Sequence, residues 1–254
     1  MDATPVAVTL VGGPTVIIEV KGVRLVTDPT FDPPGSYQGA TAMLEKTEGP
    51  AIPPEAIGET DAVLLSHDQH PDNFDRSGRS FAGRAKVVLT TNSGHSRVAG
   101  NSLGLSPWES VKVGPEDQLT VVATPARHGP PGAERTLGDV TGFVVRGPNN
   151  EDLVYVTGDT VYYGGVEQVA RRYQPRVVLA FAGAARTRGP FNITMGNNDV
   201  LEVAKAFPNA QIVTVHNRGW AHLTEGPQAL ASAAHAFGLD ERLKSLEPGE
   251  KTFF

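Results

Sequence analysis

Between Val6 and Thr27 the apolar residues fall in three short blocks, Val6 to Val11, Thr15 to Val20 and Val23 to Thr27, broken at Gly12-Gly13-Pro14 and Lys21-Gly22. Short apolar runs punctuated by Gly and Pro predict strands joined by tight turns, here a β-meander. The polar, Pro/Gly-rich stretch from Pro29 to about Pro54 reads either as a flap over a site or as a plain surface loop. Asp61 to Ser66 predicts a strand, and Asp72 to Phe81 a helix with Asp72 or Asn73 as its cap. Strands follow at Val87 to Thr90 and Leu119 to Thr124. Val140 to Arg146 and Leu153 to Val156 read as a hairpin turning at Gly147-Pro-Asn-Asn150. Beyond it, helix and strand alternate: helix Tyr163 to Tyr173, strand Val177 to Phe181, helix Asn197 to Phe207, strand Gln211 to Val215 and helix Gly226 to Phe237. With no internal repeat and no linker-like stretch, residues 1–254 are expected to form a single domain.

Composition narrows this picture. The 28 Gly and 20 Pro suit many short strands better than a helical bundle. Cysteine is absent, so any metal must be held by His, Asp, Glu or backbone oxygen, and neither a disulfide nor a thiol nucleophile is available. The formal charge of −6 comes from interspersed charges without a basic block, which argues against a nucleic-acid surface while leaving a small phosphorylated substrate compatible. The start Met1-Asp-Ala-Thr-Pro-Val lacks the pattern of a signal peptide, and no apolar run approaches the roughly 20 residues that span a bilayer. A cytoplasmic protein acting on a small molecule, with no membrane partner, is therefore expected. Self-association is left open.

Candidate chemistry sits at the ends of predicted strands. His67 follows Leu64-Leu65, His128 follows Val121-Val122, Asp159 follows Val154-Tyr-Val156, and His216 follows Ile212-Val-Thr-Val215. Strands of one sheet share an edge, so these four residues can converge although they are far apart in sequence, and imidazole with carboxylate is the donor set of open catalytic metal sites. The first strand end is the richest, His67-Asp-Gln-His70-Pro-Asp72-Asn73. His95 and His235, in polar or alanine-rich helical contexts, read as structural or exposed.

In order and spacing these segments, together with Leu25-Val-Thr-Asp28-Pro29 and Thr194-Met195, resemble the metallo-β-lactamase fold hydrolases, and among them the branch similar to the L-ascorbate-6-phosphate lactonase. The resemblance spans nearly the whole chain. It implies an α+β fold, a four-layer αβ/βα sandwich, with two metal ions at one edge of its sheets. The usual motif is His-x-His-x-Asp-His, whereas this chain has one residue more and Asn73 in place of the last His. Counting from the helix side puts His70 on the second His; counting from the strand side leaves Gln69 there. The helix-side count is preferred, because the loop is anchored where Asp72 starts the predicted helix. The resemblance then implies a first site of His67, His70 and His128, a second of Asp72 and His216, and Asp159 bridging. An amide is a weak neutral donor, so one firm ion and one weaker one are expected, with Zn or Mn the leading candidates.

A divalent ion would acidify a coordinated water and supply hydroxide, so the expected function is hydrolysis of a small ester, lactone, amide or phosphoester. Asp72 and His222 are the candidate catalytic groups, His222 either as a proton donor to the leaving group or as a partner for a substrate oxyanion. Arg186, Arg188 and Trp220 are candidates for binding substrate. Asp28, Asn73 and Gln69 are candidates for supporting the ligands through hydrogen bonds. The competing reading is a metal-poor binding or regulatory protein that kept the fold.

Overall fold

In the computed structural model, which describes residues 4–39, 42–98 and 100–254, the predicted meander opens the first of two seven-stranded sheets. In chain order the strands are β1 (Val6–Gly12), β2 (Thr15–Val20), β3 (Val23–Thr27), β4 (Gly35–Gln38), β5 (Met43–Lys46), β6 (Ala62–Leu64), β7 (Val87–Thr91) and β8 (Ser102–Leu105). They continue with β9 (Ser110–Val113), β10 (Leu119–Pro125), β11 (Thr141–Arg146), β12 (Asp152–Val156), β13 (Val177–Phe181), β14 (Gln211–Val215), β15 (Leu243–Ser245) and β16 (Lys251–Phe253). The first sheet runs β16-β1-β2-β3-β6-β7-β8 and the second β15-β14-β13-β12-β11-β10-β9. A separate hairpin pairs β4 with β5.

Alternation along the strands sorts side chains into layers. Val8, Leu10, Ile18, Leu25 and Leu64 of the first sheet meet Val121, Phe143, Val145, Leu179 and Val213 of the second in one buried interior. On the outer face of the first sheet, Ile17, Val26, Val63 and Val88 pack with Phe74 and Phe81. On that of the second, Val144, Tyr155, Val178 and Ile212 are covered by the helices Gly164–Arg172, Asn197–Ala206 and Pro227–Ala236. The order of layers is helix, sheet, sheet, helix. β6, β13 and β14 pair in parallel and are covered on both faces, which is why their sequences read as unbroken apolar runs.

This topology puts the functional strand ends together. β3, β6 and β7 run parallel, β10 and β12 are both antiparallel to β11, and β12, β13 and β14 run parallel. The C-terminal ends of β3, β6, β10, β12 and β14 therefore lie along one edge of the sandwich. Two strand ends turn sharply there on non-glycine residues with positive φ, Asp28 at +26° and His216 at +52°. Gly158, at φ +63°, lets the end of β12 approach the other sheet: a Cβ would lie 2.8 Å from that of Ser66 and 2.6 Å from the Thr141 carbonyl oxygen.

Three differences from the sequence reading have local causes. The helix after the histidine cluster is Arg76–Ala82, capped by Asp75 and not by Asp72 or Asn73. Asp75 Oδ1 accepts from the Gly78 N–H at 2.7 Å, while Asp32 accepts from the N–H groups of Arg76 and Ser77. The stretch Pro29 to Pro54 holds the β4–β5 hairpin, laced to the turn after β14 by Thr47 N–H to Gly219 O and Ala221 N–H to Glu45 O. The edge strands β8, β9, β15 and β16 were not foreseen, being short and largely polar. Among the described residues no helix is long and apolar enough to cross a membrane.

Gly78 ties the fold to the site. Its Cβ position coincides with the Pro29 backbone carbonyl, so the helix lies directly against the strand end that carries Asp28. In an open helix Gly→Ala stabilises by about 0.5–1 kcal/mol. Here Gly78→Ala is expected to destabilise by about 1–3 kcal/mol through overpacking, read as a lower urea midpoint at an unchanged m value.

Candidate metal centre

His67, His70 and His128 meet at the shared edge, and Asp72, Asp159 and His216 form a second group beside them; within each group the donor atoms lie within 4.8 Å of one another. His67 Nε2 is 2.9 Å from His70 Nδ1, and His128 Nε2 is 3.3 Å from the same nitrogen. Asp159 stands between the groups. Its Oδ2 is 3.7 Å from His128 Nε2 and 4.0 Å from His67 Nε2, and its Oδ1 is 3.6 Å from His216 Nε2. His216 Nε2 is also 3.5 Å from Asp72 Oδ2.

The tautomers follow from the partners on the far side of each ring. A carbonyl only accepts, so His128 Nδ1, 2.7 Å from Ile193 O, carries the hydrogen. Ser66 donates its hydroxyl to Asp28 Oδ2 at 2.6 Å and hence accepts from His67 Nδ1 at 2.9 Å. Both rings thus present a bare Nε2 to His70, which can offer one proton at most to two lone pairs. Three converging imidazole nitrogens with too few protons are a site a cation satisfies. In the second group Asp72 Oδ1, Asp159 Oδ1 and His216 Nε2 are buried without a hydrogen-bond partner. Unmet buried polar atoms are costly, and a divalent ion among them removes that cost. The residues fit a metal.

Electrostatics divides the groups in the same way. Burial, reinforced by neighbouring rings, pushes His67 well below the usual histidine range and His70 down to about 4, so both are neutral donors near pH 7. For His216 burial opposes the charge, but Asp159 and Asp72 together overcome it and raise the ring to about 10. Asp72 and Asp159 are held below the usual carboxylate range against their burial, by His216 with His222 for the first and by His216 with His128 and His67 for the second. Burial pushes Asp28 up to about 7 although Ser66 donates to it twice. Without metal, the second group is an imidazolium enclosed by two carboxylates.

The supporting residues are distributed unevenly. Asp28 accepts from the Ser66 N–H and hydroxyl and from Asn73 Nδ2 at 3.1 Å, joining the ends of β3 and β6. Gln69 turns away: its Oε1 accepts from the Asp68 N–H, and its amide packs on Gly138. Arg186 is exposed and donates to Asn192 Oδ1 at 2.8 Å, away from the ligands. Trp220 is buried under the β4–β5 hairpin, against Tyr37 and the Lys46 ammonium. Lys46 is itself buried, 3.3 Å from Asp75, so the hairpin is pinned to the helix cap as well. His95 donates to or accepts from Ser102, and His235 lies 3.3 Å from Asp240, both on the surface.

Above the two groups opens a cavity. His70, Asp72, His128, Asp159 and His222 form its floor, while Leu44, Leu137, Ala185 and Ile193 form an aliphatic wall, with Arg188 as the cation among the lining residues. Leu137, Ala185 and Ile193 belong to a small apolar cluster of their own. Sequence reading missed Ser66, Ile193 and this wall. Ser66 had one available signal, a hydroxyl directly before His67; the wall had none, because it joins segments far apart in sequence.

Residues 23–217 match the model of the β-lactamase superfamily domain. The UPF0173 protein YddR of Bacillus subtilis is 25% identical over 259 residues, covering 97% of this chain and 99% of its own. A UPF0173 metal-dependent hydrolase of Caldivirga maquilingensis is 24% identical, covering 92% and 91%. Among solved structures, an isothiocyanate hydrolase from Delia radicum gut bacteria superposes with a TM-score of 0.84 at 22% identity, covering 97% of this chain and 98% of its own. A possible metal-dependent hydrolase from Veillonella parvula gives the same TM-score at 19% identity, covering 98% and 99%. With its double sandwich, its paired donor groups and a domain match over most of its length, the chain belongs to the β-lactamase superfamily as a metallo-β-lactamase fold hydrolase.

Proposed function

We propose that this metal-dependent hydrolase acts on a small, uncharged electrophile with a short aliphatic tail: an ester, a lactone, an amide or an isothiocyanate. The observation that carries this reading is the cavity, which has metal-type donors at its floor and Leu44, Leu137, Ala185 and Ile193 at its wall.

His67, His70 and His128, with Asp159, would hold one ion, and Asp72, Asp159 and His216 the other. When bound, the ions would supply a water acidified toward neutrality and a Lewis-acid contact for the oxygen or sulfur bonded to the carbon under attack. The chain's own contribution is orientation and exclusion of bulk water. Ile193 O and the Ser66–Asp28 pair hold the two rings in the tautomer that leaves Nε2 bare. The aliphatic wall strips water from the substrate tail, and the Arg188 guanidinium faces charge that develops during attack.

Protein purified without chelator and loaded with Zn or Mn is expected to bind one to two equivalents and to hydrolyse members of a panel of p-nitrophenyl esters, lactones and alkyl isothiocyanates. Chelation should abolish turnover. Less than about half an equivalent of metal after loading, or a His67→Ala variant with undiminished activity, would sink the reading. Ser66→Ala should fold normally yet bind metal about 10–100-fold more weakly, as titration calorimetry would show, because His67 loses the partner that fixes its tautomer.

The charge on His216 gives a further test on chelator-treated protein. Its folded pKa, about 10, lies above the ordinary value of 6.5, so its contribution to stability is complete below pH 6.5 and is lost as pH rises toward 10. Between pH 7.5 and 9 the urea midpoint of the metal-free protein should therefore fall. Metal-loaded protein, in which the ion takes the proton's place, should show a flat midpoint over that interval.

A further inference from the structure

The second donor group is one ligand short of the first. Around His67, His70 and His128, Asp159 Oδ2 makes a fourth donor, whereas the second group has Asp72, Asp159 and His216 alone. Asn73, adjacent to Asp72, is fully buried; its Nδ2 donates to Asp28 and its Oδ1, a weak neutral donor, has no hydrogen-bond partner. The remaining imidazole nearby is His222, in the turn after β14. Its Nε2 lies 3.0 Å from Asp72 Oδ2, the same oxygen that is 3.5 Å from His216 Nε2.

These separations have the size of edges of a coordination polyhedron. Donors about 2.0–2.2 Å from one ion, at angles between a right angle and the tetrahedral angle, lie about 2.8–3.6 Å from each other. The contacts of 3.0 Å from His222 to Asp72, 3.5 Å from Asp72 to His216 and 3.6 Å from His216 to Asp159 fall in or at that range, and His222 joins the group through Asp72. His222 is also held in place by its backbone: Arg186 N–H donates to His222 O, and the neighbouring Leu223 bridges to Ala185. Its side chain is only 9% exposed, its Nδ1 has no partner, and the ring lines the cavity.

We propose that His222 Nε2 is the fourth protein ligand of the second ion, completing from a distant turn the set that Asn73 leaves open. The inference rests on the metal-dependent reading above. It takes His222 out of the proton-donor role and makes the second ion as well held as the first. Two carboxylates and two imidazoles then face it, against three imidazoles and one carboxylate at the first.

The test is metal binding, read apart from turnover. Wild-type protein loaded with Zn or Co(II) and dialysed should retain two equivalents by mass spectrometry. His222→Ala should retain one, with the affinity for the second ion reduced about 100-fold by calorimetry and one component lost from the Co(II) visible spectrum. His222→Gln, which keeps most of the side-chain volume, should behave alike, so that a folding defect in the alanine variant cannot imitate the result. Asn73→Ala and the surface control His235→Ala should each keep two. Retention of two ions with wild-type affinity by the His222 variants would overturn the proposal, as would loss of the second ion in Asn73→Ala instead. A wild-type protein holding a single ion would overturn this proposal alone, while one that holds none would overturn the metal-dependent reading beneath it.

Discussion

A single buried carboxylate, Asp159, sets the problem that the rest of the site solves. It is almost inaccessible to water, and a charge in that position is tolerable only if cations or strong donors surround it. One oxygen faces the three-histidine group and the other faces His216. Because it belongs to both groups, neither can be displaced without stranding it. The two sheets are thus joined at their functional edge by electrostatics, as they are joined across the interior by apolar packing.

Behind the ligands lies a layer of groups that are uncharged or neutralised in pairs. Asp28 is raised to about 7 by burial, and Ser66 passes its influence to His67 through one hydroxyl. On the hairpin side Lys46 and Asp75 pair in a nearly dry environment and Trp220 covers the ammonium. Such pairs add little net stability but are costly to break on one side, which favours one arrangement over others. The hairpin therefore takes one position over the cavity, set by a helix cap and by the turn after β14.

The sequence made the site legible to the extent that it depends on strand ends. His67, His128, Asp159 and His216 each follow a short apolar run, and parallel strands bring such ends to one edge whatever the intervening loops do. What depends on tertiary contact was not legible. The cap at Asp75 instead of Asp72 is decided by where Asp32 and Pro29 meet the helix. The turning away of Gln69 is decided by packing on Gly138, more than sixty residues on. Trp220, a candidate for binding substrate, packs beneath the hairpin because its indole meets Tyr37 and Lys46, and neither partner can be inferred from its own neighbours in sequence.

Ile193 shows how closely selectivity and reactivity are joined here. Its carbonyl oxygen fixes the ring of His128, and its side chain forms part of the cavity wall. A molecule that presses on that wall presses on the strut of a candidate ligand. Any drift in this loop that widens the cavity for larger tails would also loosen a ring that must keep its nitrogen bare. Substrate range and ligand geometry in this lineage would then evolve as one trait, and change at Ile193 would persist only where both tolerate it.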